Sequence, residues 1–149
     1  RQILEHSGAD PTLLTLEVTE GLVIDDFDDV VAKMRALVAL GVEFSLDDFG
    51  TGYSSLAYLK RLPIQELKID RSFVRDASTN ADDGALVEAI LSVARHFGMR
   101  VVAEGVETRA QADHLVQREP AIVYQGFLFS RPEPVADWLA RLAPLEALG

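Results

Sequence analysis

The chain has 149 residues, of which 48% are hydrophobic, and a net charge of −10. This length allows one domain with a substantial core, and no apolar run approaches the roughly 20 residues needed to cross a bilayer. We therefore expect no membrane contact within this segment and a cytoplasmic location. The sequence contains no cysteine, which excludes disulfides, thiolate metal sites and cysteine nucleophiles. The acidic charge argues against binding of a nucleic-acid polymer, so an anionic ligand would need metal ions to balance its charge.

The predicted elements alternate between helices and strands along the chain. Residues 1–6 are typical of the end of a helix that Gly8 closes, and Asp10 with Pro11 begins a short helical turn. Apolar alternation and β-favouring runs predict five strands, at 13–18, 42–47, 65–69, 100–103 and 121–124. Helical periodicity predicts helices at 25–40, 54–61 and 85–97, one from Thr108, and a final one that carries Trp138, Leu139 and Leu142.

The alternation of elements also indicates the fold class. Strands that alternate with helices are typically parallel, with the helices packed outside the sheet. The predicted class is therefore α/β. The polar residues 76–84 are predicted as a loop, and the helix after them is predicted to bury Leu86, Ile90, Val93, Ala94 and Phe97.

Polar residues gather at the C-terminal ends of the strands. These ends carry Glu17 and Glu20, Asp47 and Asp48, Lys68 and Asp70, Glu104 and Glu107, and Gln125. In a parallel α/β barrel such ends converge on one rim, where these enzymes place their active sites. An exposed acidic turn explains Asp47 and Asp48 when they are taken alone, but four consecutive acidic strand ends with a lysine among them favour a functional site.

The residue types indicate a metal-dependent reaction of a phosphodiester. Carboxylate oxygens, without cysteine or a histidine pair, favour Mg²⁺ or Mn²⁺ over zinc. Adjacent aspartates allow one carboxylate to bridge two ions, and two ions can activate a water and stabilise the leaving oxygen. A lysine on the same rim can orient the water or offset phosphate charge. None of the three histidines lies at a strand end, so no histidine ligand is predicted.

Five segments, in order along the chain, resemble the EAL-domain family, whose members are phosphodiesterases that cleave cyclic di-GMP to the linear dinucleotide. They are LEVTE (16–20), DDFGTGYSSL (47–56), LKIDRSFV (67–74), VVAEGVE (101–107) and QGFLFSRP (125–132). The resemblance implies an eight-stranded (β/α) barrel of the TIM type, of which this chain would supply the last five strand–helix units. Residues 1–149 are thus expected to be the C-terminal part of a single EAL domain.

The resemblance also implies roles for individual residues. Glu17 and Asp47 would bind one Mg²⁺ or Mn²⁺ ion, and Asp47 would bridge to a second ion held by Asp48 and Glu104. Lys68 would contact the hydrolytic water, and Glu104 is also a candidate for the general base. Glu107 and Gln125 would support the site, while Asp70 has either a site role or a neighbouring arginine as its partner. Glu20 would anchor the loop 49–55 after the second strand, which couples metal binding, substrate binding and dimerisation. Its candidate residues are Phe49, Gly50, Thr51 and Gly52.

Two departures from the family pattern qualify these expectations. The Glu-Ala-Leu segment, whose glutamate binds metal, and an asparagine ligand on the following strand are not in this sequence, so the chain alone is expected to have little activity. Residues 117–123, QREPAIV, differ from the Leu-Gly-Cys-Asp segment usual there, which affects the local loop and the substrate fit. The expected partners are cyclic di-GMP, a second copy in a homodimer, and upstream EAL strands together with sensory or cyclase domains.

Two other interpretations use the same residues. A catalytically silent EAL domain would bind cyclic di-GMP or a protein partner as a receptor; such members usually lose metal or loop residues, and those within this segment are intact. A receiver-type phospho-acceptor domain also combines an aspartate pair with a lysine on parallel strand ends, and it binds Mg²⁺. It leaves Glu17, Glu104 and Glu107 without a role. The enzyme is therefore the preferred hypothesis.

Overall fold

The computed structural model describes residues 2–19, 26–50 and 56–146, except for the side chains of Glu5 and of residues 142–146. The strands are β1 (Thr15–Thr19), β2 (Glu43–Phe49), β3 (Glu66–Ile69), β4 (Arg100–Glu104) and β5 (Val123–Gln125). The helices are α1 (Gln2–Ser7), α2 (Phe27–Val38), α3 (Leu56–Leu59), α4 (Arg71–Asp76), α5 (Ala81–Phe97), α6 (Arg109–Val116) and α7 (Val135–Glu146), with a 3-10 helix at Pro11–Leu13. No helix in the described ranges combines the length and apolar character that a membrane crossing requires.

The five strands form one parallel sheet in the order β1-β2-β3-β4-β5. Each strand pairs with the next one along the chain. Parallel neighbours need crossover connections, and here helices lie in those connections. All strand C-termini therefore lie at one edge of the sheet, and the predicted α/β class is confirmed.

The two faces of the sheet differ in chemistry. One face packs with the helices in the hydrophobic core through Phe44, Leu46, Leu67, Ile69, Val101 and Ala103. Because side chains alternate along a strand, the residues between these point to the opposite face. That face is largely polar and carries Glu43, Ser45, Asp47, Glu66, Lys68, Arg100 and Glu104. Near the strand N-termini, Arg100 Nη2 lies 2.5 Å from Glu43 and 3.5 Å from Glu66, and the candidate site lies at the other end.

Helix α5 begins earlier than its apolar periodicity indicates. The loop predicted at 76–84 is wrong at 81–84, because the Asn80 side chain accepts a hydrogen bond from the Asp82 amide at 2.9 Å and starts the helix at Ala81. Residue 76 ends α4, a helix that was not predicted. The buried face is also rotated from the prediction: Val87 and Leu91 are fully buried, whereas Leu86 is 46% exposed.

Smaller differences concern the ends of other elements. Leu13 belongs to the 3-10 helix rather than to a strand, because Asp10 caps that helix by accepting the Thr12 amide. Strand β2 continues through Asp47 and Asp48, and β5 is shifted towards Gln125. Helices α2 and α3 end before the residues predicted at 40 and 61. Residues 25 and 54–55 and the side chain of residue 142, which the helix predictions included, lie outside the described set.

Candidate active site

Lys68 lies at the centre of the polar edge formed by the strand C-termini. Its side chain is only 5% exposed, and its Nζ lies 2.7 Å from Glu17 Oε1, 2.6 Å from Glu104 Oε1 and 3.3 Å from Asp47 Oδ1. The three carboxylates come from β1, β4 and β2. The structure thus brings together four of the residues that the sequence placed at separate strand ends.

The surrounding carboxylates fix the charge of Lys68. Burial by itself lowers the pKa of Lys68, because it disfavours the charged form. The hydrogen bonds to Glu104 and Glu17, with further contributions from the Glu104 charge and from Asp47, outweigh burial and raise the pKa of Lys68 well above its usual value. Lys68 is therefore an ammonium group near neutral pH, and it can donate hydrogen bonds but cannot act as a base.

A bulge in β2 places Asp48 beside Asp47. On a regular strand consecutive side chains point to opposite faces, so Asp48 would point into the core. Relative to β3, however, β2 holds one extra residue between Leu46 and Phe49. Asp48 adopts a positive φ of 55°, and Phe49 takes the core position with 6% exposure. A bulge of this kind redirects a side chain next to a site.

Asp47, Asp48 and Glu104 form a candidate metal centre. One carboxylate oxygen from each lies within 4.8 Å of the others. The Asp48 amide also donates a hydrogen bond to Asp47 Oδ1 at 3.0 Å, which orients that carboxylate. Oxygen ligands alone suit Mg²⁺ or Mn²⁺ better than zinc, so these residues fit the predicted ions. Glu17 is not among these three ligands and reaches the cluster through Lys68.

A cavity of about 440 Å³ lies beside this cluster. Gln125 lines the cavity and pairs in register with Glu104 across β4 and β5. The other lining residues combine cationic, acidic and aromatic groups and include Arg71, Glu107, Arg131 and Trp138. Guanidinium groups bind phosphate oxygens and aromatic rings stack on flat ligands, so the cavity suits a molecule with both features.

Close packing at Gly126 fixes the position of Gln125. A Cβ atom at Gly126 would lie 2.2 Å from the carbonyl oxygen of Val106. The Val106 amide donates to the Gln125 carbonyl at 3.1 Å, and the Leu128 amide donates to the Val106 carbonyl at 3.0 Å. Only glycine allows the loop after β4 to approach the end of β5 this closely.

Asp70 caps helix α4. Its carboxylate accepts a hydrogen bond from the Ser72 amide at 2.9 Å and another from the Ser72 hydroxyl. Partial burial raises the pKa of Asp70, but the hydrogen bonds from Ser72 and Arg71 and the Arg71 charge outweigh it and hold this pKa below its usual value. The side-chain partner of Asp70 is thus Ser72, while Arg71 contributes its backbone amide and its charge; a role of Asp70 in the site stays a prediction. Asp70 also lines a second cavity of about 530 Å³ with Arg71 and Glu107.

The loop predicted after β2 is described only at its start. Phe49 is the last residue of β2 and its side chain is buried in the core, so its assignment to the loop is wrong. Gly50 has a φ of 96°, and a Cβ there would lie 3.2 Å from the Phe73 ring. Glu20, Thr51 and Gly52 lie outside the described residues.

Three features of the site were not predicted from sequence. The bulge has a signal, since the apolar positions move from even-numbered residues up to Leu46 to the odd-numbered Phe49. Ser45 is fully buried, and its place two residues before Asp47 puts it on the same face of β2. Arg71 lines both cavities, and its place two residues after the end of β3 would have indicated this.

Sequence comparisons relate the chain to known proteins. A family model described as EAL domain matches residues 1–132. The bifunctional diguanylate cyclase/cyclic di-GMP phosphodiesterase MucR of Pseudomonas aeruginosa is 48% identical over 141 residues, which cover 95% of this chain and 20% of that protein. The cyclic di-GMP phosphodiesterase NbdA of the same organism is 46% identical over 136 residues, which cover 91% of this chain and 17% of that protein. The chain therefore spans only a small part of the length of these relatives.

Solved structures show the same fold. A complex of the PaMucR phosphodiesterase with c-di-GMP has a TM-score of 0.86 and 46% identity, over 93% of this chain and 56% of that one. The EAL domain of Mycobacterium smegmatis DcpA has a TM-score of 0.88 and 39% identity, over 96% of this chain and 64% of that one. A manganese and cy-diGMP complex of Klebsiella pneumoniae BlrP1 has a TM-score of 0.78 and 37% identity, over 88% of this chain and 33% of that one. The parallel sheet is that of a TIM-type barrel, and the chain belongs to the EAL domain family.

Proposed function

We propose that the protein carrying this chain hydrolyses cyclic di-GMP to the linear dinucleotide with two divalent cations, Mg²⁺ or Mn²⁺. The observation that carries the proposal is the oxygen cluster of Asp47, Asp48 and Glu104 beside the Lys68 ammonium. Relatives with cyclic di-GMP phosphodiesterase in their names, and a related solved complex with manganese and cy-diGMP, support it. In this proposal residues 1–149 are the C-terminal part of a single cytoplasmic EAL domain.

The carboxylates divide between two cation positions. Glu17 and Asp47 would hold one ion, and Asp47, Asp48 and Glu104 would hold the other. When bound, such ions activate a water and stabilise the departing oxygen of a phosphodiester. The bulge at Asp48 supports this division, because it turns two consecutive carboxylates to the same side of β2.

Lys68 would position the attacking water and offset charge on the phosphate. Its raised pKa keeps it protonated, so the proton of the water must go to another group. Glu104, whose Oε1 lies 2.6 Å from Lys68 Nζ, is the candidate general base. The Lys68 ammonium can orient the Glu104 carboxylate by donating a hydrogen bond to it.

The cavity beside the cluster would receive the substrate. Arg71 and Arg131 supply cationic groups for phosphate oxygens, and Trp138 supplies a flat apolar surface. Gln125 and Glu107 line the cavity, Gln125 pairs in register with Glu104, and both residues would support the reacting phosphodiester. Asp70 would act on the site through Arg71, its neighbour at the start of α4.

The loop after β2 would connect this site to a second copy of the protein. We propose that Glu20 anchors the loop containing Gly50, Thr51 and Gly52, and that Phe49 fixes its start through the core. A homodimer and further upstream domains, sensory or cyclase, complete the proposal. The bifunctional name of MucR supports the presence of a cyclase domain in at least some relatives.

The test is chromatography of the products after incubation of the full-length protein with cyclic di-GMP and Mn²⁺. We expect the linear dinucleotide from the wild type, and none from the Asp47→Ala, Asp48→Ala double variant or after chelation of the metal. Arg95→Met, on the exposed surface of α5, serves as a control for altered charge. Binding of intact cyclic di-GMP without turnover would instead identify a receptor. The absence of both turnover and binding would overturn the proposal.

A further inference from the structure

Ser45 is a buried hydroxyl group without a visible hydrogen-bond partner. The residue is 0% exposed, and its Oγ makes no hydrogen bond to any of the described residues. A hydroxyl can both donate and accept, and a buried hydroxyl left unsatisfied is destabilising. Strand alternation places Ser45 on the polar face of the sheet, which also carries Asp47 and Lys68. The proposed mechanism gives this residue no role.

Ser45 lies beneath the hydrogen bond between Glu17 and Lys68. Strand β2 runs between β1 and β3, and Ser45 pairs in register with Glu17 on one side and with Glu66 on the other. The 2.7 Å contact from Lys68 Nζ on β3 to Glu17 Oε1 on β1 must therefore pass over β2. This crossing is consistent with the complete burial of Ser45, which strand alternation places on the same face of the sheet as the ion pair.

The number of N–H donors on Lys68 explains why Ser45 accepts no hydrogen bond from it. An ammonium group has three N–H donors. Nζ lies within 3.3 Å of one oxygen each from Glu17, Asp47 and Glu104, so these three carboxylates can take up all three donors. Glu17 is the most exposed of the three, at 56% for its side chain, so it is the acceptor that can turn away most easily.

We propose that Ser45 is a positioning residue for Lys68: its hydroxyl accepts the hydrogen bond that Lys68 loses when Glu17 turns to a divalent cation. The inference rests on the proposed function, because Glu17 has reason to turn only if the site holds cations. Lys68 would then keep the same position whether Glu17 pairs with it or binds a cation. It also lowers the cost of releasing Glu17, since the buried ammonium is never left with an unused donor.

The test compares Ser45→Ala, which removes one oxygen atom, with Ser45→Thr, which keeps the hydroxyl. Ser92→Ala, at an exposed position on α5, is the matched control. Mn²⁺ binding to the full-length protein is measured by titration calorimetry, and kcat and KM are measured with cyclic di-GMP. We expect Ser45→Ala to weaken Mn²⁺ binding about tenfold and to lower kcat without a matching change in KM. Ser45→Thr should restore both quantities in part, and Ser92→Ala should leave them unchanged.

The two measurements separate failure of this inference from failure of the proposed function. Wild-type turnover with an unchanged Mn²⁺ affinity and kcat in Ser45→Ala would overturn the role of Ser45 alone. A wild type that binds Mn²⁺ but does not hydrolyse cyclic di-GMP would overturn the proposed function, and the calorimetric comparison would still decide the role of Ser45. A wild type that binds no Mn²⁺ would overturn both. An equal loss of Mn²⁺ affinity and kcat in Ser45→Ala and Ser45→Thr would indicate a packing effect and would also overturn the positioning role of Ser45.

Discussion

At the scale of single residues, the charge of Lys68 balances the carboxylates that surround it. Lys68→Met keeps much of the side-chain volume but leaves Glu17, Asp47 and Glu104 without this counter-charge. We expect at least a 100-fold fall in hydrolysis, the lower range for loss of a positioned catalytic group. Mn²⁺ binding should be unchanged or tighter, because the ions no longer compete with an ammonium group for the same oxygens.

Calorimetry with Mn²⁺ and chromatography of the product check this prediction. Lys33→Met is the matched control, since Lys33 is exposed and, among the described residues, forms its ion pair with Asp29 on the same helix. Its activity should equal that of the wild type. Undiminished turnover in Lys68→Met would contradict the assignment of Lys68 to the site, and a loss of Mn²⁺ binding would show that the lysine holds the carboxylates in place.

Asp70 contributes to the stability of the fold as the cap of α4, and this contribution can be measured without an activity assay. Asp70→Ala removes the cap of α4, which should lower the free energy of unfolding by about 1 kcal/mol. The pKa of Asp70 is lowered in the folded protein, so folding favours its ionised form. The ionised cap therefore contributes fully above the unfolded-state pKa of about 3.9, and this contribution is lost as the pH falls through the folded-state pKa.

Urea unfolding between pH 7 and pH 3 measures this effect. The difference between wild type and Asp70→Ala should shrink towards the acid end of the range. Asp70→Asn is the control, because its side-chain oxygen still accepts the Ser72 amide but cannot ionise; its stability should be close to wild type at neutral pH. A difference between wild type and Asp70→Ala that does not vary with pH would argue against an ionic cap.

At the scale of elements, the sequence predicts the strands better than the helices that connect them. Apolar runs such as Val101 to Ala103 form strands because the core requires an alternating apolar face. The start of α5 is missed because its first turn is polar, which is typical of a loop. The hydrogen bond from the Asp82 amide to the Asn80 side chain nevertheless starts the helix there. The strand-end residues of the site could be predicted, since parallel strands share one edge. The bulge at Asp48 was missed because the shift of apolar positions from Leu46 to Phe49 is a weak signal, and the bulge itself is defined by pairing with β3.

The junction of β4 and β5 provides a prediction at this scale. In Gly126→Ala the new methyl group would overlap the backbone of Val106, which cannot move without shifting Gln125 and the edge of β4. We expect a loss of about 3 kcal/mol in the free energy of unfolding, at the upper end for overpacking. Hydrolysis should fall as well, because Gln125 and the neighbouring Glu104 move together.

Gly98→Ala is the matched control for this substitution. Gly98, unlike Gly126, has a positive φ of 68°, and a Cβ there meets no atom within 4 Å. Its cost should be limited to backbone strain, about 1 kcal/mol, with hydrolysis unchanged. Urea unfolding and the product assay on both variants distinguish the two cases. Equal costs would contradict the prediction, because they would mean that the overlap with the Val106 backbone at Gly126 costs no more than the backbone strain at Gly98.

At the scale of the whole molecule, the sheet has two outer strands with one partner each. Among the described strands, β1 pairs only with β2, and β5 pairs only with β4. Both outer strands expose apolar side chains, since Leu16 is 42% exposed and Val123 is 50% exposed. A closed barrel leaves no such edges, and a free edge with apolar side chains is a template for pairing with another chain.

The 149-residue chain, when produced by itself, should therefore associate as its concentration rises. Sedimentation velocity over a hundredfold range of concentration measures this. Leu16→Lys places a charge on the β1 edge and should shift the distribution towards the monomer, because a charged edge strand opposes further pairing. Leu86→Lys is the control, since Leu86 is similarly exposed but lies on α5, away from both edges. A wild-type chain that stays monomeric throughout would show that these strand edges are protected. Equal effects of the two lysines would attribute association to general apolar exposure rather than to strand pairing.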